Sequence, residues 1–408
     1  MITSRRSFLT TAPAVAAAGA ASAAGAGRLA GQAGPSVAQA VRDSSCDPWV
    51  EVHPQNLRHN VEEIRRRVAG RPILAVIKNN GYGLGIVNVA RSLEPLPGIA
   101  GLAVIKLHEA MTLRDAGIRC PILLMGPADD REIEEAVRRD VMPMVYTPVG
   151  RLLDAIAARR QKPIALHVCI DTGIGRVGVP HLQAPPLLRD LAGRKSVELQ
   201  GVMMTFAEDP EFDKEQLHRF TALCDGVERD GLKLGRRHAA SSYALFQRPD
   251  AFLDMVRPGM AVFGVYSEPE FRTAGVLSLR PAMALRARVI YVKQLQPGDS
   301  AGYNRAYVAK APVWMATLPV GHADGLPRDA AKGGRVRING SLYPIVASVS
   351  ASHSIVELGA ERRAEVGDVA TFFDWTEGSR PEDFGLACRS SVYDLTMHLN
   401  PLLPRRMA

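Results

Sequence analysis

The chain has 408 residues, 47% of them hydrophobic and 23% charged, with a formal charge of +8. This is an ordinary globular composition; it excludes a disordered chain and leaves room for two domains or one large barrel with an appendage. The tight basic run Arg65-Arg66-Arg67 follows Glu62-Glu63 in a helical pattern, so it reads as a solvated helix face and no nucleic-acid partner is expected.

The first element is a targeting segment. Ser4-Arg5-Arg6-Ser7-Phe8-Leu9 matches the twin-arginine export pattern, an Ala/Gly-rich stretch runs from Thr10 to Gly27, and Ala38-Gln39-Ala40 offers a cleavage site. Residues 1–40 are therefore read as a signal peptide for the twin-arginine export machinery, with Val41 starting the mature chain in the periplasm or outside the cell. No later stretch reaches the ~20 apolar residues that span a bilayer. Five cysteines are present without a C-x-x-C, which argues against a zinc knuckle or redox pair and leaves at least one thiol unpaired within the chain.

From Trp49 to about residue 270, short apolar runs alternate with amphipathic stretches. Strands are expected at Ile73–Ile77, Gly101–Ile105, Pro121–Met125, Pro143–Tyr146, Ile164–Ile170 and Leu199–Met204. Helices are expected at Gln55–Val68, Lys106–Ala116 and Arg131–Arg139. Seven or eight such units favour a (β/α)8 barrel of the TIM type over residues 41–278. From Leu279 the pattern becomes β-rich: Ala287–Gln294, Val313–Leu318, Gly334–Val346 and Val369–Phe373, with Asn339-Gly340 as a hairpin turn. Residues 279–408 are read as a mainly antiparallel β domain, ending in a short helix at Asp394–Leu399.

The segment Ala75-Val76-Ile77-Lys78-Asn79-Asn80-Gly81-Tyr82-Gly83 puts a lysine at the end of an apolar strand, where barrel active sites form. An amine there can form a Schiff base with an aldehyde cofactor. Gly173-Ile174-Gly175-Arg176-Val177-Gly178 also satisfies G-x-G-x-x-G, but Pro180 and Pro185-Pro186 oppose the helix that a dinucleotide site needs. His108-Glu109 lacks a second histidine four residues on, and no metal site is expected.

Around and beyond Lys78 the chain resembles the alanine racemase family. The matching segments run in order: Ile170-Asp171-Thr172-Gly173-Ile174-Gly175-Arg176, His238-Ala239-Ala240-Ser241-Ser242, Val256-Arg257-Pro258-Gly259-Met260, Gly302-Tyr303 with Tyr307, Ala323-Asp324-Gly325, Pro344–Ser350 and Tyr393-Asp394. The resemblance implies a barrel plus a β domain, a pyridoxal 5'-phosphate cofactor, free amino acids as substrates and a homodimer with shared active sites. It also implies residue roles. Lys78 holds the cofactor and serves as one catalytic base. Tyr303, supplied by the partner subunit, is the other, since inversion needs a base on each face of Cα. Arg257 pairs with the pyridine nitrogen, and Arg176 with the phenolic oxygen. Tyr82, Ser242, Gly259, Met260 and Tyr393 cradle the phosphate. Arg176, Ala351 and Ser352 lie toward the substrate.

Several positions depart from the family pattern. Cys169 stands where many members carry a carbamylated lysine beside Arg176, and Thr205 replaces a histidine. Ser241 replaces an asparagine, His322 a tyrosine and Asn304 a glycine. Ala351-Ser352 replaces Met-Asp near the substrate carboxylate. Cys46-Asp47-Pro48-Trp49-Val50-Glu51-Val52 looks like the start of the exported broad-specificity racemases, whose second cysteine is matched here by Gly101. The expectation is an exported broad-specificity racemase; the alternatives are a narrow alanine racemase and a cofactor-binding relative with lost or altered activity.

Overall fold

The computed structural model describes residues 47–408; the export segment, its cleavage site and Cys46 lie outside the described residues. Seven parallel strands form the staves of a barrel: Ile73–Val76, Ile99–Val104, Ile122–Leu124, Val141–Val145, Ile164–Asp171, Val197–Met203 and Arg236–His238. Ile73–Val76 is buried at every position, as expected of a parallel strand covered on both faces. An irregular eighth stave closes the ring. Leu74 N–H donates to Val256 O and Val76 N–H to Pro258 O, both at 2.9 Å, and Val256 N–H donates back to Pro72 O at 3.0 Å. The proline at 258 has no N–H to give, and an irregular closing segment tolerates that loss.

The expected helices are present as Pro54–Arg67, Leu107–Asp115 and Asp130–Arg138. Arg65 pairs with Glu62 at 3.0 Å and Arg66 with Glu63, the spacing that places both on one helix face. Arg67 turns inward instead; its Nε donates to Leu245 O at 2.9 Å, and the guanidinium lies over the Phe252 ring. The glycines at 173–178 lead into a two-residue strand, Val179–Pro180, and a 3-10 turn, His181–Gln183, and not directly into an α-helix. The next α-helix is Ala184–Ala192, which takes Pro185 and Pro186 into its first turn, where a missing N–H costs nothing.

A second sheet of nine strands runs in the order Tyr291–Leu295, Val313–Leu318, Ser354–Gly359, Ser341–Val346, Arg335–Ile338, Val369–Phe373, Met283–Arg288, Trp49–Val52, Arg405–Met407. Its neighbours are antiparallel except the last pair. The Asn339-Gly340 turn is as read: Ile338 faces Ser341, and both turn residues have positive φ. The continuous run expected over Ala287–Gln294 is broken at Val289-Ile290 into two strands. Trp49–Val52, the first strand described, belongs to this sheet and pairs with Met283–Arg288. Buried Asn60 clamps the chain between the two sheets: its Nδ2 donates to Val262 O and Arg280 O, and its Oδ1 accepts from Arg280 N–H. No helix among the described residues is long and apolar enough to cross a membrane. The four described cysteines, Cys120, Cys169, Cys224 and Cys388, are free thiols.

Midway along the barrel interior, His167 Nδ1 meets His238 Nε2 at 2.8 Å, with 3% and 0% of the two residues exposed. Burial, with the nearby Arg257 charge, pushes His167 down to about 3 and His238 well below its ordinary value. Both are neutral in the fold and take up a proton on unfolding below about pH 6.5. Stability contributed by the pair is therefore complete above that pH and lost as pH falls. Urea unfolding from pH 7.5 to 5.5 is expected to show a decline below about pH 6.5 of ~1.4 kcal/mol per unit for each histidine. In His167→Gln the histidine-dependent slope is halved. A wild-type midpoint that stays flat across that range would overturn the assignment of neutral, buried rings.

Candidate active site

The strand Ile73–Val76 ends two residues before Lys78, and the chain then makes an unusual turn. Asn79, Asn80, Gly81 and Tyr82 all have φ between 51° and 61°. Four successive left-handed residues are costly for L-amino acids, and Asn and Gly are the residue types that carry the least of that cost. The turn is held from outside. Glu109, 4% exposed, accepts from Asn80 N–H at 3.0 Å and from Ile105 and Lys106 N–H through its other oxygen. Asn80 Oδ1 accepts from Ile86 N–H at 3.1 Å, and Arg405 donates to Gly83 O at 2.8 Å. The result places Lys78 and Tyr82 in one cavity of about 300 Å3 at the C-terminal ends of the strands.

That cavity also gathers Arg176, Ser242, Arg257, Gly259, Met260 and Tyr393. Every residue assigned to the cofactor from sequence thus lines one space. Burial lowers the Lys78 amine below its ordinary value, Arg176 lowers it further, and Glu109 opposes both. A lysine shifted this way keeps more of its neutral, nucleophilic form near neutral pH. Burial pushes Tyr82 up, and Tyr393 is pushed up to about 12; both phenols remain hydrogen-bond donors at neutral pH.

Arg257 is 6% exposed and has no carboxylate partner among the described residues. Its Nη1 donates to His238 O at 2.7 Å and to His238 Nδ1 at 2.9 Å, and its Nη2 donates to Met204 O at 2.6 Å. Burial lowers it to about 10, so it stays protonated at neutral pH. A buried cation held only by neutral acceptors is expensive unless a further acceptor comes to it. At the other end of the cavity, Ser242 Oγ accepts from Gly259 N–H at 2.9 Å and Ala261 N–H at 3.2 Å. A Cβ on Gly259 would collide with the Tyr82 hydroxyl, so the glycine is what lets the phenol lie against the backbone beside Ser242. A free amine, an unpaired buried guanidinium and a serine–phenol–backbone cradle together fit the aldehyde, ring nitrogen and phosphate of pyridoxal 5'-phosphate.

The departures from the family pattern fall close by. Cys169 and Thr205 line the cavity beside Arg176. Burial pushes the Cys169 thiol up to about 11, so it is neutral and cannot replace a carbamate charge. Arg176 accordingly has no carboxylate or hydrogen-bond partner among the described residues. His322 accepts from Arg328 at 2.9 Å in the β domain, outside the cavity. Asn304 sits at φ 55°, a conformation that asparagine tolerates better than most residues in place of glycine.

Three predicted site residues are not brought to Lys78 within one chain. Tyr303 is 74% exposed, and Ala351 and Ser352 are exposed as well. Their loops are neighbours in the β domain: Gly302 packs against Ala347 and Ser348, and Ala351 O accepts from Ala323 N–H. Sequence reading passed over Glu109, His167 and Glu208. The last lines the cavity with its carboxyl raised by burial and by Asp213 and Glu268. Nothing in the local pattern of these three marks a site; their roles come from which backbone groups and rings the fold brings to them.

Comparison with known proteins agrees with this geometry. Residues 52–267 match the family model for the alanine racemase N-terminal domain, and residues 282–407 that for the C-terminal domain. An alanine racemase 2 of Caldanaerobacter subterraneus subsp. tengcongensis is 33% identical over 87% of this chain and 93% of its own length. The alanine racemase of Desulforamulus reducens is 35% identical over 81% of this chain and 90% of its own. The crystal structure of alanine racemase from D-cycloserine-producing Streptomyces lavendulae superposes with a TM-score of 0.81 at 30% identity, covering 90% of this chain and 98% of that one. With both halves of the chain matched in order and the cofactor residues in one cavity, the chain belongs to the alanine racemase family and is a pyridoxal 5'-phosphate-dependent racemase.

Proposed function

We propose that this racemase is exported, works as a homodimer with shared active sites, and accepts free amino acids larger than alanine as well as alanine itself. The observation that carries the racemase chemistry is the convergence of Lys78 and unpaired Arg257 in one cavity. Bound there, pyridoxal 5'-phosphate supplies an aldehyde carbon for the substrate amine and a conjugated ring that accepts the electron pair of the broken Cα–H bond. Lys78 Nζ, with its lowered basicity, takes or returns the Cα proton on one face. Tyr303 of the partner subunit serves the opposite face; the exposure of this residue and its absence from the cavity lining of its own chain support that assignment. Arg257 keeps its proton, so it would offer a bound ring nitrogen a hydrogen bond and not a full proton. That weakens electron withdrawal and favours return of the proton to Cα. Tyr82, Ser242, Gly259, Met260 and Tyr393 would hold the phosphate end, and Arg176, with no hydrogen-bond partner among the described residues, would be available to the phenolic oxygen and the substrate carboxylate.

Export rests on Ser4–Leu9 and Ala38-Gln39-Ala40, and on the C-x-x-W start at Cys46. Broad specificity rests on Ala351-Ser352 in place of Met-Asp. A second reading, a narrow alanine racemase, is favoured by the names of the similar proteins.

Borohydride treatment of the purified yellow enzyme is expected to fix the cofactor on Lys78; an adduct found by mass spectrometry on another lysine, or on none, would exclude that role. Mixing Lys78→Ala with Tyr303→Phe subunits should restore one intact site per heterodimer. No recovery once subunit exchange is verified would rule out a shared site. Across a panel of L-amino acids, turnover of unbranched basic or polar residues is expected to be comparable to that of alanine. Ala351→Met should then shift kcat/KM toward alanine by roughly 10- to 200-fold, the ~1 to 3 kcal/mol that a few methylenes of pocket space are worth. Racemisation of alanine alone would establish the narrow reading.

A further inference from the structure

A second cavity, of about 360 Å3, opens at the opposite end of the barrel, where the strands begin. Its walls carry Arg114, Arg119, Arg160, Lys162 and Arg236 against a single carboxylate, Asp140. Asp140 pairs with Arg160 at 2.6 Å. Arg114 is taken up by backbone carbonyls of Ile118, Cys120, Arg139 and Asp140. The side chains of Arg119, Lys162 and Arg236 have no ion-pair or hydrogen-bond partner among the described residues. A concave surface with one sign of charge concentrates counter-ions.

The inner end of this cavity is His167, the ring that also touches the machinery above. Gly201 makes its position possible, since a Cβ there would lie 2.9 Å from His167 Nδ1. The protonation of the chain of rings follows from Arg257. A guanidinium can only donate, so His238 Nδ1 accepts from Arg257 Nη1 at 2.9 Å. His238 Nε2 then carries the hydrogen and donates to His167 Nδ1 at 2.8 Å. His167 must therefore carry its own hydrogen on Nε2, which has no partner among the described residues. That N–H borders the cavity, where a donor takes up whatever acceptor the cavity holds, and the charge around it is in positive excess.

We propose that the lower cavity binds a divalent oxyanion of the size of phosphate, which accepts from His167 Nε2–H and is sensed by Arg257 through the histidine pair. Lys162 and Arg236 supply the charge, and His167 supplies the directional hydrogen bond. An anion at Nε2 strengthens the polarisation of each donor in the row and so alters the hydrogen bond that Arg257 offers upward. The sensing half of this proposal rests on the reading that Arg257 faces the cofactor's ring nitrogen; the binding half does not.

The test uses holoenzyme at constant ionic strength in chloride, titrated calorimetrically with inorganic phosphate. One saturable site per chain is expected. In the double variant Lys162→Gln with Arg236→Gln, binding weakens about tenfold or more, the scale of one lost hydrogen bond to a charged group. The visible absorption band of the cofactor remains in this variant. In wild type, saturating phosphate shifts that band. In His167→Gln the shift disappears while phosphate still binds through the cationic side chains. Absence of a heat signal, or equal binding by the double variant, overturns the site. Saturable binding with a stationary band overturns the sensing row alone. A chain that takes up no cofactor has no band, which would overturn the reading of the upper cavity while the calorimetric result still decides the lower one.

Discussion

Burying the Arg257 guanidinium without a counter-ion constrains everything around it. The cation is held by Met204 O at the end of one stave, by His238 O and Nδ1 at the end of the next, and by its own place in the closing segment. Three parts of the barrel are thus tied to one planar group that cannot give up its proton. Removing its partners would leave a charge in a medium that cannot solvate it, and such losses cost several kcal/mol. The same desolvation keeps both histidines neutral, and the Arg257 donor fixes which nitrogen of each carries the hydrogen. Ring tautomers, barrel closure and the electronic character of the ring-nitrogen contact all follow from this one buried charge.

The Lys78 turn is the complementary constraint. Residues 79–82 sit in left-handed geometry, and strain of this kind persists only where neighbours over-determine it. Here the neighbours are Glu109, Asn80's own side chain and Arg405, drawn from a barrel helix, the turn itself and the last strand. The C-terminal strand therefore helps to position a residue of the barrel. A lysine four residues before a tyrosine would point elsewhere on a relaxed loop. In this turn both reach the same cavity.

Much of this was legible in the chain of letters. The barrel staves showed as short apolar runs because parallel strands buried on both faces need no alternation, and the hairpin at Asn339-Gly340 showed because few other dipeptides suit two positive φ values. The residues assigned to the cofactor come from an ordered series of short segments; that they line one cavity follows from the staves that carry them. What stayed hidden depends on three-dimensional proximity. Glu109 reads as an ordinary residue of a helix's first turn until its oxygens meet three backbone donors. His167 reads as a polar interruption in an apolar strand until Gly201 admits its ring beside His238. The closing stave at Val256–Pro258 escapes any strand pattern because it is defined by the hydrogen bonds it makes to Pro72, Leu74 and Val76.

The two ends of the barrel also differ in how complete they are. At the upper end the cavity contains an amine, a guanidinium, the Glu208 carboxyl and a serine–phenol cluster, and among the described residues that line it Tyr303 is missing. That tyrosine stands 74% exposed in the β domain, beside the loop that carries Ala351 and Ser352. A large aromatic residue held out to solvent on a turn with two successive left-handed residues, Asn304 and Arg305, gains nothing for its own fold from that position. The cost makes sense if the turn serves a surface formed between two copies, where one chain brings cofactor and lysine and the other brings tyrosine and the residues nearest the substrate side chain. On that arrangement the chemistry and the choice of substrate are separated between subunits.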